Sequence, residues 1–186
     1  MSDCIIDTNV LLVASASDPS SPFGDSDHVP LDHQELVLKW LIDFRVDGQR
    51  KLVLDQSFKI WDEYHNQMTR GRDIGSLIVA EKLLFARFVE IAFDNDGNGI
   101  LPPEYNEVDL SDRKFVAVAL NDHVDGGSSA IVAACDRGWY KCEGILKQGG
   151  VSVVQIVEEW SRRVWNEKQK EKINSVGNRS KRSRKR

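Results

Sequence analysis

The chain has 186 residues, a formal net charge of −4, 41% hydrophobic residues and 29% charged residues. This length and composition predict one soluble globular domain with a full core and leave too little chain for two. No apolar stretch approaches the roughly 20 residues that span a membrane, and no basic leader precedes the first apolar run. Cys4, Cys135 and Cys142 have no spacing typical of disulfides or a zinc site, so we expect a cytoplasmic protein without membrane contact.

Segments with the pattern of buried strands alternate with segments of helical spacing. Strands are predicted at the start of 4–13 and at 51–54, 89–93, 130–135 and 151–156, and helices at 33–44, 56–70, 75–88, 111–120, 140–147 and 157–168. The segments 15–32 and 94–108 are rich in Pro, Gly, Ser and Asp and predict long loops. The alternation predicts an α/β protein: a three-layer α/β/α fold around a central, mostly parallel sheet of about five strands.

Two acidic residues directly follow the most apolar predicted strands. Asp7 closes the run Cys4-Ile5-Ile6, and Asp136 closes the run that begins at Ala130. Side chains at the carboxyl ends of parallel strands point into the crevice where open α/β sheets bind ligands. A ligand role is therefore favoured for both, and the alternative for Asp7 is an N-cap of the following helix. Thr8 and Asn9 are candidates to orient Asp7.

Glu63 and Asp112 are two further candidates that lie in predicted helices. Glu63 borders the apolar stripe that includes Ile60 and Tyr64, where a solvated glutamate is the ordinary alternative. Asp112 precedes Phe115 near the start of its helix, so that helix capping explains its position as well as a ligand role does.

Four carboxylates brought together would repel one another unless a divalent cation neutralised them. Asp7, Glu63, Asp112 and Asp136 together therefore suggest the hypothesis of a metal-dependent phosphodiesterase, with the four as its metal-binding and catalytic residues.

The same residues resemble the motifs of the PIN-domain nucleases, a family that includes the VapC-like ribonucleases. The resemblance is carried, in order, by Ile6-Asp7-Thr8-Asn9-Val10-Leu11-Leu12, Glu63-Tyr64, Asp109-Leu-Ser-Asp112-Arg-Lys-Phe115 and Ala134-Cys-Asp136-Arg-Gly-Trp139. It covers residues 3 to 157. Many members carry another acid two positions after the late Asp, where this chain has Gly138, and this departure puts a second metal site in doubt.

The resemblance implies an endoribonuclease that uses Mg²⁺ or Mn²⁺, with RNA favoured over DNA as the nucleic acid. It also implies a setting such as a toxin of a toxin–antitoxin pair or a phage-defence effector. A protein antitoxin or other regulatory partner and a homodimer remain open. The alternative function is a PIN-like nucleic-acid-binding or scaffolding module that has lost catalysis.

The C-terminus differs in composition from the rest of the chain. Six basic residues lie in its last eight positions: Arg179, Lys181, Arg182, Arg184, Lys185 and Arg186. The remainder of the chain carries −10, and an acidic body with a basic arm is typical of proteins whose tail contacts nucleic acid. We therefore predict a nuclease domain over 1–170 and a basic, disordered tail over 171–186, for which a solubilising role is the alternative.

Overall fold

The computed structural model describes residues 2–16, 29–68 and 73–183, with side chains described as far as Ile173. Its elements in chain order are β1 (Cys4–Ile6), α1 (Thr8–Ala16), α2 (Leu31–Val46), β2 (Val53–Asp55), α3 (Lys59–Gln67), α4 (Ile74–Leu83), β3 (Arg87–Val89), α5 (Arg113–Val124), β4 (Ala130–Ala133), α6 (Gly138–Gln148), β5 (Val153–Gln155) and α7 (Glu158–Ser183). Short 3-10 turns cover Pro103–Tyr105 and Leu110–Asp112.

All five strands pair in parallel, and this confirms the predicted α/β class. β1, β4 and β5 form one sheet in the order β1-β4-β5, and β2 and β3 form a second. The two sheets meet through a single parallel bridge between Cys4 and Leu52. The predicted sheet of about five strands is thus divided into three strands and two, because β1 and β2 diverge beyond that bridge.

β1, β2 and β4 are wholly buried, so helices must cover both faces of the sheet there, whereas β3 and β5 are partly exposed. Ile5, Ile6, Leu54 and Ile131 have no exposed surface and lie in the same core as Phe115 of α5. α5 packs against β1, β2, β3 and β4, while α1 packs against α2 and α4. Because β1 and β4 are parallel neighbours, their carboxyl ends lie at the same edge of the sheet.

The boundary between α4 and β3 differs from the prediction. A helix was predicted over 75–88 and a strand over 89–93, but α4 ends at Leu83 and β3 covers Arg87–Val89. Leu84 and Phe85 continue the apolar spacing of the helix, yet they are 80% and 74% exposed in the turn that follows it. Apolar spacing alone was misleading here because these side chains do not enter the core.

Several predictions concern residues outside the described part. Residues 17–28, in the predicted 15–32 loop, and residues 69–72, at the end of the predicted 56–70 helix, lie there. α7 runs to Ser183, but the side chains from residue 174 onward are not described, so the role of the basic residues Arg179 to Arg186 stays a prediction. Within the described residues no helix is both long and apolar enough to cross a membrane.

Candidate functional site

Asp7 follows β1 and is almost fully buried, with 3% of its surface exposed. Its Oδ1 accepts a hydrogen bond from the backbone N–H of Asn9 at 2.7 Å, which is the N-cap role considered as the alternative. Its Oδ2 accepts a hydrogen bond at 2.6 Å from the indole Nε1 of Trp139, 132 positions later in α6. The carboxylate is thus held in one orientation by two neutral donors from two separate elements.

Asp136 lies two residues before α6 and close to Asp7. Asn9 connects the two, because its backbone N–H donates to Asp7 and its Nδ2 donates to Asp136 Oδ2 at 3.1 Å. The other oxygen of Asp136 accepts from the backbone N–H of Gly138 at 2.7 Å. The preceding residue, Cys135, has a φ of +62°, an uncommon left-handed conformation that turns the chain sharply between β4 and α6.

Asp112 immediately precedes α5 but does not cap it, since its side chain accepts no hydrogen bond from the helix N-terminus. The carboxylate of Asp112 accepts one hydrogen bond among the described residues, and this bond is long, at 3.4 Å from the hydroxyl of Ser111. The capping alternative therefore does not explain this carboxylate. Asp109, three residues earlier, also forms no side-chain cap bond within the described part of the chain and instead forms an ion pair with Lys141 at 3.2 Å.

Glu63 projects from α3 towards the start of α5 and is the one predicted ligand with a basic partner. Its Oε2 lies 2.5 Å from Nζ of Lys114, and its Oε1 accepts a hydrogen bond from the hydroxyl of Thr8 at 2.5 Å. Thr8 therefore orients Glu63 instead of Asp7. Neither the ion pair nor this hydrogen bond follows from sequence spacing.

The carboxylates perturb one another electrostatically. Burial raises the pKa of Asp7 to about 7, and the charge of Asp136 adds to this rise, against the hydrogen bonds from Asn9 and Trp139. Burial likewise raises the pKa of Asp112 to about 6, with further contributions from the charges of Asp136, Asp109 and Glu63. Such perturbed acids in a crevice are typical of functional sites.

The donor chemistry of the cluster fits a divalent cation. Among the described residues no ion pair reaches Asp7, Asp112 or Asp136. Carboxylate oxygens are the ligands that Mg²⁺ and Mn²⁺ prefer. As arranged, however, no three His, Cys, Asp or Glu side chains in the described part converge closely enough to hold a metal ion. Ligation of an ion would require the carboxylates to draw together.

Sequence reasoning identified the four acids and missed the side chains that hold them. Asp7, Asp112 and Asp136 lie near enough that their charges raise the pKa values of Asp7 and Asp112, and Glu63 lies beside them in its ion pair with Lys114. Trp139 of α6 is one of the side chains that hold the acids. It is buried, and its indole N–H donates to Asp7. Comparison of the chain with protein-family models, with curated proteins and with solved structures gave no match.

Proposed function

We propose that this protein is a metal-dependent nuclease that hydrolyses phosphodiester bonds in RNA with Mg²⁺ or Mn²⁺. One observation carries the proposal. Three carboxylates from distant segments, Asp7, Asp112 and Asp136, lie at the carboxyl edge of the sheet, where two of them have raised pKa values. None of the three forms an ion pair among the described residues, although the charge of Lys114 partly offsets the rise in the pKa of Asp112.

Asp7, Asp112 and Asp136 would hold the ion, which when bound supplies a Lewis acid for the phosphoryl oxygen and lowers the pKa of an attacking water. The protein's own contribution is orientation. Trp139 and Asn9 fix the carboxylate of Asp7, and the N–H of Gly138 fixes that of Asp136. Each carboxylate oxygen that accepts one of these bonds keeps a lone pair for a further partner.

The choice of RNA rests on the resemblance of the motifs to PIN-domain nucleases, which also supports the toxin or phage-defence setting. DNA hydrolysis by the same chemistry is tested by competition between strands that differ only in the 2′-hydroxyl. The basic residues between Arg179 and Arg186 are proposed to add affinity for the nucleic-acid backbone. Removing them should weaken binding at low salt without abolishing cleavage.

Asp112→Asn is the sharpest test of the proposal. Because the carboxylate of Asp112 has only one long hydrogen bond, the amide should leave the fold intact. Asp7→Asn is less suitable because both oxygens of Asp7 accept hydrogen bonds, and an amide has only one acceptor oxygen. We expect Asp112→Asn to lower cleavage of labelled single-stranded RNA at least 100-fold in Mn²⁺.

The matched control is Asp43→Asn, which changes an exposed acid of α2 that pairs with Lys39. It should keep cleavage within about threefold of the wild type. Equal activity of the Asp112→Asn variant and the wild type, with chelator-insensitive cleavage in both, would exclude the proposed site.

Gly138 favours a second candidate function, a nucleic-acid-binding module without catalysis. A Cβ at this position would lie 3.1 Å from Oδ1 of Asp136 and 3.8 Å from Oδ2 of Asp109, so a side chain there would face the acids. The chain lacks an acid at the place where many PIN domains carry one. Tight RNA binding with no cleavage in either Mg²⁺ or Mn²⁺ would support this module over the enzyme.

A further inference from the structure

We propose that the site takes one divalent cation, and that the ammonium group of Lys114 stands where a second cation would bind. This inference rests on the proposed metal-dependent function. It assigns Glu63 to a fixed ion pair and leaves the metal to Asp7, Asp112 and Asp136.

Lys114 is held in place from several directions. It lies in α5 two residues after Asp112, and its side chain is only 10% exposed. Its Nζ pairs with Glu63 and donates to the carbonyl oxygen of Ser111, both at 2.5 Å, and it lies 5.1 Å from the ring centroid of Phe115. Removing one partner of such a buried pair leaves an uncompensated charge, so a metal ion does not easily displace the ammonium.

Glu63 is already satisfied at both oxygens. Lys114 pairs with Oε2 and Thr8 donates to Oε1. A metal ion at a remaining lone pair of Glu63 would lie close to the like charge of the Lys114 ammonium, which has no other carboxylate in hydrogen-bond contact among the described side chains. The Glu63 side of the cluster therefore keeps the positive charge of Lys114 whether or not a metal ion is bound.

The Asp136 side of the cluster is different. The hydrogen bonds to Asp7 and Asp136 come from neutral groups, those of Asn9, Trp139 and Gly138. Gly138 has no side chain, so this position adds no further ligand beside Asp136. The carboxylates of the cluster that form no ion pair among the described residues are thus those of Asp7, Asp112 and Asp136, and together they provide for one ion.

Binding stoichiometry tests the inference without any measurement of cleavage. We expect calorimetric titration of Mn²⁺ into metal-free protein to give one site, and electron paramagnetic resonance to show an isolated, uncoupled Mn²⁺ ion. Lys114→Met should free Glu63 and permit a second ion, seen as a stoichiometry of two and a spin-coupled pair. Two ions in the wild type, or one ion in a folded Lys114→Met variant, would overturn the inference.

The double variant Glu63→Gln/Lys114→Met keeps the test decisive if the single variant does not fold. It removes both charges of the pair and preserves similar volumes, so it should bind one Mn²⁺ ion with an affinity within about threefold of wild type. A tenfold or greater loss of affinity would identify Glu63 as a ligand and contradict the inference.

Two controls separate this inference from the proposed function. Lys39→Met removes an exposed lysine that pairs with Asp43 on α2, and it should leave the stoichiometry at one. Asp136→Asn should weaken Mn²⁺ binding at least tenfold. A wild-type protein that binds no Mn²⁺ at all would overturn the metal-dependent function itself, whereas two bound ions with RNA cleavage would overturn only the role of Lys114.

Discussion

Both ends of the parallel strands collect aspartates, but the aspartates Asp3 and Asp122 at the amino end share an arginine, whereas Asp7, Asp112 and Asp136 at the carboxyl end form no ion pair in the part of the chain that the structure describes. At the amino end, Arg87 at the start of β3 pairs with Asp3 at 3.1 Å and with the fully buried Asp122. Asp122 also accepts a hydrogen bond from the backbone N–H of Ser129 at 2.9 Å. At the carboxyl end, Asp7, Asp112 and Asp136 have no such partner among the described residues.

The difference separates acids that build the fold from the acids for which we propose a cation. A buried carboxylate with its own guanidinium is a structural group, because its charge is compensated wherever the protein folds. Buried carboxylates without one lower the stability of the folded state until a cation arrives. The same class of residue therefore has opposite energetic consequences at the two ends.

Removing the cation at the amino end should have the largest effect. Arg87→Met leaves Asp122 buried without a counter-charge, and we expect a loss of about 3–5 kcal/mol in the free energy of unfolding, measured by urea denaturation. The control is Arg45→Met, which removes an exposed pair with Glu81 and should cost no more than about 1 kcal/mol. A loss below about 1 kcal/mol for Arg87→Met would mean that Arg87 stabilises Asp122 no more than an exposed ion pair does, and would contradict the contrast between the two ends.

Adding a cation at the carboxyl end should stabilise the protein. With Mn²⁺ at about 100 times its dissociation constant, the expected gain is about 2.7 kcal/mol. Thermal unfolding at pH 8 with and without Mn²⁺ measures it. The gain should shrink at pH 5, where Asp7 and Asp112, whose pKa values are about 7 and about 6, hold protons. Equal stabilisation of Asp112→Asn and wild type would place the ion elsewhere.

The metal-free protein should lose stability as the pH rises from 5 to 8. The pKa values of Asp7, about 7, and Asp112, about 6, lie above the ordinary 3.8 of an unfolded chain. Between these values the folded protein keeps protons that the unfolded chain releases. The contribution of the two groups to the free energy of unfolding is therefore complete below about pH 4 and is lost as the pH rises to about 7.

Between pH 6 and pH 8 we expect this loss to be about 2 kcal/mol, measured by urea denaturation of chelator-treated protein. The groups with lowered pKa values, such as Asp47, Asp94 and Glu143, contribute only at more acidic pH. Asp112→Asn should flatten the curve by removing one of the two groups and part of the charge acting on the other. Wild-type stability that rises between pH 5 and 8 would contradict the assigned pKa directions.

The smallest effect is expected from removing the side chain of Asn9, which connects Asp7 with Asp136. Asn9→Ala removes the side-chain donor to Asp136 but keeps the backbone N–H that bonds Asp7. We expect a loss of about 1 kcal/mol in stability and a several-fold loss in Mn²⁺ affinity, because Asp136 is then less well oriented. Unchanged Mn²⁺ affinity would mean that Asn9 does not orient the ligand.

The predictable part of the molecule was the part encoded by local pattern. Apolar runs located β1 and β4, and the acids that follow them, Asp7 and Asp136, lie at the predicted edge. The contacts that distinguish the site were not predictable, because the Glu63–Lys114 pair and the bond from Trp139 to Asp7 join segments far apart in sequence. Spacing along one helix carries no information on its partner.

The most direct measurement is anomalous X-ray diffraction from crystals soaked with Mn²⁺ at pH 8. We expect one anomalous peak within coordination distance of carboxylate oxygens of Asp7, Asp112 and Asp136, with Lys114 still paired to Glu63. An absence of any peak there, or a peak elsewhere with these three carboxylates unmoved, would contradict a cation site at the carboxyl edge of the sheet.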